Sequence, residues 1–180
     1  MKDSANFGDA HPQLDAHDWR ILSLLQADAS LSNQALAEAV NLSPATCHRR
    51  VQRLTQAGVI EKRVAILSPT KLAAWTGWGL SALVEVSLDV QTSEALDAFE
   101  ARAVDESSVQ QCWRVSPGPD FVLVIQVADM PAYQDVARRL FNEDSQVRNV
   151  RVFFAVKRAK FGTTLPLPAA GSQARRDATR

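Results

Sequence analysis

The chain of 180 residues has little cysteine, histidine, tyrosine or methionine, and it has no surplus of either charge. Cys47 and Cys112 stand alone, without Cys-X-X-Cys or His-rich spacing, so the sequence indicates neither a disulfide framework nor a metal site. Residues 1–12 contain no continuous apolar segment, which argues against a signal peptide or a membrane span there. We therefore predict a protein of the reducing cytoplasm that has no membrane partner and needs no cofactor or metal.

The chain also lacks the motifs on which most enzymes depend. It has no glycine-rich phosphate loop, no serine nucleophile elbow and, after His48, no histidine that could act as an acid or a base. Asp105 and Glu106 are adjacent acids that follow a predicted helix, and we interpret them as its solvated end rather than as a catalytic pair. The sequence therefore predicts that this protein is not an enzyme.

What is present is an ordinary globular composition, 46% hydrophobic and 22% charged, in a chain long enough for two small domains. Residues 14–67 are predicted to form a first domain, and a stretch at 68–79 with proline, glycine and tryptophan is predicted to be a hinge linker. Residues 80–161 then form a second domain. The polar segments 1–13 and 162–180 are predicted to be disordered tails, and the basic residues of the second are expected to be solvated.

Three helices in close succession are predicted within the first domain, over residues 16–28, 34–40 and 44–56. Each follows a residue whose side chain can accept a hydrogen bond from free N–H groups of the first turn: Asp15, Ser32 and Ser43. Residues 59–67 then predict two short strands with a polar bend. This order is typical of a winged helix-turn-helix.

The third of these helices has an apolar stripe and a basic stripe. Cys47, Val51 and Leu54 recur at i, i+4 and i+7, which predicts one buried face. The basic stripe, formed by Thr46, Arg49, Arg50 and Arg53, is predicted to point into solvent and to enter the major groove of DNA. Flanking residues are predicted to contact the DNA backbone. The candidate DNA-binding residues are Ser43, Thr46, His48, Arg49, Arg50, Arg53, Lys62 and Arg63.

A basic helix face can also be merely solvated, and Ser43 can be only a helix cap. Three features favour DNA: the short spacing of the helices, the Ser-Pro start of the third helix, and the basic residues that follow it. Between Ser43 and Arg63 there are five basic residues against one acidic residue. We therefore expect Arg50→Ala to weaken specific DNA binding and to leave folding intact.

The second domain alternates strands and helices. Strands are predicted over 80–88, 109–115, 121–127 and 150–156, and helices over 93–104 and 131–142. The order β-α-β-β-α-β predicts a ferredoxin-like domain, so the fold class is α+β: an N-terminal winged helix-turn-helix plus a C-terminal ferredoxin-like domain. Two helices can cover only one face of the sheet, and we expect a second copy of the chain to cover the other.

At this point the residues resemble a known family. The segments that carry the resemblance are Leu14-Asp15 with Asp18 and Ile21-Leu22, the Leu42-Ser43-Pro44 turn, Cys47, Arg49 or Arg50 through Val51 and Leu54, and Gly58-Val59-Ile60. In order and spacing they are similar to the leucine-responsive/asparagine-responsive (Lrp/AsnC) transcription regulators of bacteria and archaea. The resemblance spans about residues 14–161.

The resemblance implies a sequence-specific DNA-binding regulator of amino-acid metabolism genes. It also implies a homodimer of paired sheets, with tetramers and octamers as larger assemblies, and an amino-acid effector near the hairpin loop at 115–121. Ser116, Gly118 and Asp120 are the candidate effector residues, and they equally suit an ordinary β-turn. Pro117 stands where the family commonly has glycine. The alternative function is an architectural protein that binds DNA without sequence choice.

Overall fold

The helices and strands follow one another nearly as the sequence predicts. The computed structural model describes residues 13–77, 79–142 and 146–168. The helices are α1 (Ala16–Ala27), α2 (Asn33–Ala39), α3 (Pro44–Gln56), α4 (Pro69–Thr76), α5 (Ser93–Asp105) and α6 (Met130–Ala137), which continues as a π-helix over Arg138–Asn142. The strands are β1 (Leu80–Leu88), β2 (Val109–Arg114), β3 (Phe121–Val127) and β4 (Val147–Phe154).

The described residues divide into two compact units, one of residues 13–65 together with 161–168, and one formed within residues 66–160. In the first unit, the Gln26 side-chain amide donates to the Leu165 carbonyl at 3.1 Å and accepts from its N–H at 3.0 Å. Residues 162–168 therefore differ from the predicted disordered tail, because a side chain far away in sequence binds their backbone. The predicted tails over 1–12 and 169–180 lie outside the described residues.

Helix caps determine where the first three helices begin. Asp15 and Asp18 form a reciprocal capping box at the start of α1. Ser32 and Ser43 each accept a hydrogen bond from an N–H of the first turn of α2 and α3. The three helices enclose one apolar core, formed by Ile21, Leu25, Leu36, Ala37, Val40, Cys47 and Leu54.

The two strands predicted over 59–67 are wrong. All of these residues are described, and none belongs to a strand. Val64, Ile66 and Leu67 are 63%, 59% and 66% exposed, so their apolar spacing does not reflect burial. A strand needs a neighbouring strand as well as a suitable pattern, and no described strand pairs with this segment. The Val59 and Ile60 N–H groups donate to the Leu54 carbonyl instead. We call residues 59–67 the wing segment.

The predicted linker contains a helix that the sequence analysis did not assign. Helix α4 begins after Ser68, whose hydroxyl accepts from the Lys71 N–H, and Pro69 occupies its first turn. The helix ends at Gly77, which has a φ of +75°. The Ser68-Pro69 pair repeats the Ser-Pro signal that begins α3, and could have revealed α4.

The second unit confirms the ferredoxin-like prediction. Its four strands form an antiparallel sheet in the order β2-β3-β1-β4, which is the order of a split β-α-β arrangement. Strand β4 begins three residues before its predicted start, because Val147 already pairs with Leu88. Alternate residues of β1 and β3 pack with α5 and α6 in one core, whose largest buried side chains are Phe99, Phe121, Leu88, Leu123 and Ile125.

The opposite face of the sheet carries an apolar patch that stays partly exposed in the described part of the chain, beside polar residues such as Glu85 and Arg151. Leu83, Trp113 and Phe153 are 44%, 58% and 49% exposed. Pairing places Leu83 beside Val124 and Phe153, and Trp113 beside Val122. We call this surface, formed by Leu83, Trp113, Val122, Val124 and Phe153, the open sheet face.

Candidate nucleic-acid interface

The buried side of α3 is the one that the sequence predicts. Cys47 and Leu54 are fully buried and Val51 is half-buried against the core of the three helices. Burial raises the pKa of the Cys47 thiol, so this side chain stays protonated and acts as a small apolar group. These contacts fix which residues of α3 can face outwards.

Two arginines of α3 turn towards α1 rather than into open solvent. Arg50 Nη1 lies 2.7 Å from Asp15 Oδ2 and 2.9 Å from Asp18 Oδ1, and Arg53 Nη2 donates to Asp18 Oδ2. The Asp18 side chain is fully buried, whereas those of Arg50 and Arg53 are 24% and 46% exposed. We call these four residues the Asp18 anchor.

The anchor corrects the prediction that Arg50 points into solvent beside Arg49, whereas Arg53 is exposed as predicted but is paired with Asp18. At about 100° per residue, Arg50 lies only about 60° around the helix from the buried Cys47. It therefore stands at the edge of the buried stripe, where the acids of α1 can reach it. The charge pattern of α3 alone could not show this, because both acids lie more than 30 residues earlier in the chain.

The anchor is an electrostatically matched group. Partial burial alone would raise the pKa of Asp15, but hydrogen bonds from the Asp18 N–H and from Arg50 outweigh burial and hold this pKa below its ordinary value. Hydrogen bonds to Asp15 and then to Asp18 raise the pKa of Arg50 further. The ionised forms of Asp15 and Arg50 are thus the ones that the folded domain favours.

The side of α3 that does face outwards is centred on Arg49. Arg49 is exposed and forms no ion pair with any residue that the structure describes. Ala45, His48, Gln52 and Gln56 lie on the same side of the helix and are exposed as well. We call these four residues together with Arg49 the outer face of α3.

Sequence reasoning missed Ala45, Gln52 and Gln56. The search followed positive charge, and neutral glutamines gave no signal. Counting helix positions directly opposite Cys47 and Leu54 would have found them. The omission matters because a glutamine amide can pair with adenine as an arginine pairs with guanine.

A cleft of about 380 Å³ runs beside the outer face. It is lined by the apolar Leu25, Leu31, Leu36 and Val51 and by the polar Asn33, His48, Gln52, Thr55, Gln56 and Arg63. The structure therefore brings Arg63 of the wing segment close to α3. Lys62 is exposed and does not line the cleft.

Ser43 and Thr46 are occupied with each other. The Thr46 N–H donates to Ser43 Oγ at 3.2 Å, and Ser43 Oγ donates to Thr46 Oγ1 at 2.8 Å. Thr46 is half-buried, whereas Ser43 is exposed. This geometry accounts for both residues as a helix cap, and it leaves a phosphate contact by Ser43 as a prediction.

The candidate effector residues do not converge on one point. Ser116 and Gly118 are exposed in the β2-β3 loop, which includes a cis Ser116-Pro117 peptide bond. Asp120 is buried instead, and its Oδ2 accepts from the buried Leu88 N–H at 2.7 Å. The Asp120 N–H also donates to the Val86 carbonyl at 2.9 Å, so this residue ties the loop to β1.

Both units match known protein families. Residues 14–61 match the winged helix-turn-helix DNA-binding model, and residues 81–165 match the Lrp/AsnC ligand binding domain. The chain is 37% identical over 154 residues to the DNA-binding transcriptional activator DecR of Escherichia coli K12, covering 86% of this chain and 99% of that protein. The chain belongs to the Lrp/AsnC family.

Solved structures agree with this membership. The AsnC family transcriptional regulator from Agrobacterium tumefaciens is 31% identical, with a TM-score of 0.74 over 85% of this chain and 97% of that one. A transcriptional regulator from Neisseria meningitidis, solved as a complex with L-methionine, is 30% identical, with a TM-score of 0.73 over 86% and 97% of the two chains. The winged helix-turn-helix match ends at residue 61, so it includes only residues 59–61 of the wing segment.

Family membership makes this Lrp/AsnC chain a transcriptional regulator with a DNA-binding and a ligand-binding domain. Its matched domains and named relatives are those of regulators, which are not enzymes. Of the helices within the described ranges, none has the length and hydropathy needed to cross a membrane.

We expect Asp120→Ala to destabilise the ligand-binding domain. The change leaves the buried Leu88 N–H without its acceptor, which costs about 1–3 kcal/mol of unfolding free energy. Hydrogen exchange measured by mass spectrometry should show faster exchange in β1 and in the β2-β3 hairpin. Ser116→Ala is the matched control, because Ser116 is exposed. Unchanged exchange in Asp120→Ala would contradict the structural role of Asp120.

Proposed function

We propose that this Lrp/AsnC regulator binds specific DNA sites with the outer face of α3. The observation that carries the proposal is the exposed pair Arg49 and Gln52, one helical turn apart, on a helix whose other side is fixed by a buried core. Arginine pairs bidentately with guanine and glutamine with adenine in the major groove. Three residues, Ala45, Arg49 and Gln52, give this face one small apolar group and two groups able to pair with bases.

Neighbouring groups supply contacts to the DNA backbone in this proposal. Arg63 lies beside α3, Lys62 precedes it on the wing segment, and both are exposed. Ser43 and His48 stand at the beginning and on the flank of the helix. Contacts of this kind set the register of a protein on the duplex without reading its sequence. In this proposal Arg50 and Arg53 do not read DNA bases. Their ion pairs with Asp15 and Asp18 stabilise α3 instead.

A second copy of the chain covers the open sheet face in this proposal. Leu83 and Phe153 lie side by side, and Trp113 lies on the same face beyond β3, so large apolar surfaces of all three are exposed in the single chain. A two-fold dimer carries two copies of α3 and therefore favours palindromic DNA, with half-sites about 34 Å apart or a multiple of this distance. Larger assemblies with even numbers of chains follow from further contacts between dimers.

We predict that Leu83→Arg converts the dimer into a monomer. The change would bury a charged guanidinium beside Val124 and Phe153 within the proposed interface, and burial of a charge among apolar groups is strongly unfavourable. Sedimentation velocity on the full-length chain reports the change directly. Val90→Arg is a control, because Val90 is exposed outside the open sheet face. A Leu83→Arg dimer as stable as the wild type would refute this interface.

The effector in this proposal is an amino acid, and the regulated genes serve amino-acid metabolism. The L-methionine complex of the Neisseria regulator supports this choice of ligand class. Ser116 and Gly118 are exposed in the β2-β3 loop and remain the proposed contacts of the effector. Asp120 is buried and ties the loop to β1 through the Leu88 N–H. Equilibrium dialysis of the wild type against each amino acid tests this part.

Selection of bound fragments from a random DNA library tests the function as a whole. We expect successive rounds to enrich one motif with two related half-sites, because two copies of the outer face read the same bases. The alternative, an architectural protein, predicts retention of DNA without enrichment of any motif. Failure to retain DNA under low-salt conditions would overturn both.

A further inference from the structure

We propose that Asp18 is a specificity-determining residue, because it withholds Arg50 and Arg53 from DNA phosphates and leaves base reading to the outer face of α3. The inference rests on the proposed function. It concerns the discrimination between specific and arbitrary DNA rather than the presence of DNA binding.

The charges of α3 are the first support for this proposal. The helix holds three guanidinium groups, on Arg49, Arg50 and Arg53. Two of them are matched by the carboxylates of Asp15 and Asp18, so the Asp18 anchor has two positive and two negative charges. Of the three arginines, Arg49 alone keeps a charge that no described acid compensates.

The geometry of the Asp18 carboxylate is the second support for this proposal. It is fully buried, and it accepts hydrogen bonds from the Asp15 N–H, from Arg50 and from Arg53. The side chain of Arg53 is nevertheless 46% exposed, which leaves it at the border between the anchor and solvent. Arg53 is therefore the arginine that loss of the Asp18 charge would free for a phosphate.

Affinity for arbitrary DNA depends on how many phosphates a protein neutralises. Each additional contact steepens the dependence of log affinity on log salt by about 0.9. A regulator must find its site among a great excess of other DNA, so the ratio of specific to non-specific affinity determines its occupancy. By holding back two arginines, Asp18 lowers the non-specific affinity and raises this ratio.

The test compares wild type with Asp18→Asn as full-length chains on two DNA duplexes, the site recovered by library selection and a shuffled version of it. Titrations at several salt concentrations between about 50 and 200 mM give the salt slopes. We expect Asp18→Asn to bind shuffled DNA about fivefold more tightly near 150 mM salt, with a slope steeper by about 0.9 for each freed arginine. The ratio of specific to shuffled affinity should fall.

A merely structural role for Asp18 predicts the opposite. Both affinities would then fall together, with a salt slope that is unchanged or shallower, and this result would overturn the proposal. Asp135→Asn is the matched control, because it removes one exposed negative charge in the other unit. It should leave the affinities and slopes as in the wild type.

Arg53→Gln keeps the proposal falsifiable if Asp18→Asn does not fold. If Asp18 withholds Arg53, this variant has the wild-type salt slope on shuffled DNA. A slope shallower by about 0.9 would show that Arg53 already contacts a phosphate, and the proposal would fail. Failure of the proposed function is distinguishable, since library selection would then yield no site while the slopes on shuffled DNA could still be measured.

Discussion

Replacing Arg49 and Gln52 together with alanine is expected to lower affinity for the selected DNA site at least about 30-fold. Each bidentate base contact contributes about 1–3 kcal/mol of discrimination, so two such contacts contribute about 2–6 kcal/mol, and the lower value already corresponds to about 30-fold. Both side chains are exposed, so the change in unfolding free energy should stay within about 0.5 kcal/mol. Fluorescence anisotropy and thermal unfolding check the two expectations.

The matched control is the double variant of Gln134 and Arg138, which have the same residue types exposed on α6 and its extension. It removes the same charge and the same amide from the other unit. We expect its affinity for the selected site to equal that of the wild type. If the variant of Arg49 and Gln52 also bound that site with wild-type affinity, the outer face of α3 would not be the reading face.

Arg50→Ala is expected to destabilise the DNA-binding unit by about 3 kcal/mol. Removal of one partner from a buried ion pair costs about 3–5 kcal/mol, and the lower end applies because Arg50 is 24% exposed and Arg53 still binds Asp18. Asp18 is fully buried, and the change removes one of the two guanidinium groups that bind its carboxylate. Sequence reasoning predicts intact folding for this variant, so the two accounts differ in a measurable way.

Hydrogen exchange measured by mass spectrometry separates the units and therefore suits the Arg50→Ala test. A loss of about 3 kcal/mol speeds exchange in the most protected amides of α1 and α3 by more than about 100-fold, if these amides exchange through unfolding of the unit. Strands of the other unit should be unaffected. Arg49→Ala is the matched control one residue away. Wild-type protection in Arg50→Ala would show that the Asp18 anchor contributes little to stability.

Local signals explain why most of the fold could be predicted from the sequence. Asp15, Ser32 and Ser43 cap helices through contacts with residues at most three positions away. The alternation in β1 reflects burial on one side of a single strand, so it also needs no knowledge of distant residues. The order β-α-β-β-α-β then indicated one well-known sheet arrangement, that of the ferredoxin-like fold.

The features that sequence reasoning missed depend on distant partners. Arg50 resembles any exposed arginine until Asp15 and Asp18 are placed beside it. Leu165 is held by Gln26, 139 positions earlier, and no local pattern encodes that contact. The strand prediction for the wing segment was wrong for the opposite reason: its local pattern is strand-like, but it has no neighbouring strand.

The candidate site was therefore predicted at the level of the helix but only partly at the level of its residues. Helix α3, its buried stripe and the exposed Arg49 follow from periodicity. Gln52 could also have been found by periodicity. The separation of Arg49 from Arg50 and Arg53 required the structure, because only the position of α1 distinguishes these three arginines.

The central claim is that the chain is a regulator that chooses its DNA by sequence. The ratio of its affinities for specific and shuffled DNA tests this claim most directly. Fluorescence anisotropy at about 150 mM salt, where non-specific binding is weak, compares the selected site with a shuffled duplex of the same composition. We predict binding to the selected site that is tighter by roughly tenfold or more. Equal affinity for the two duplexes would contradict the claim.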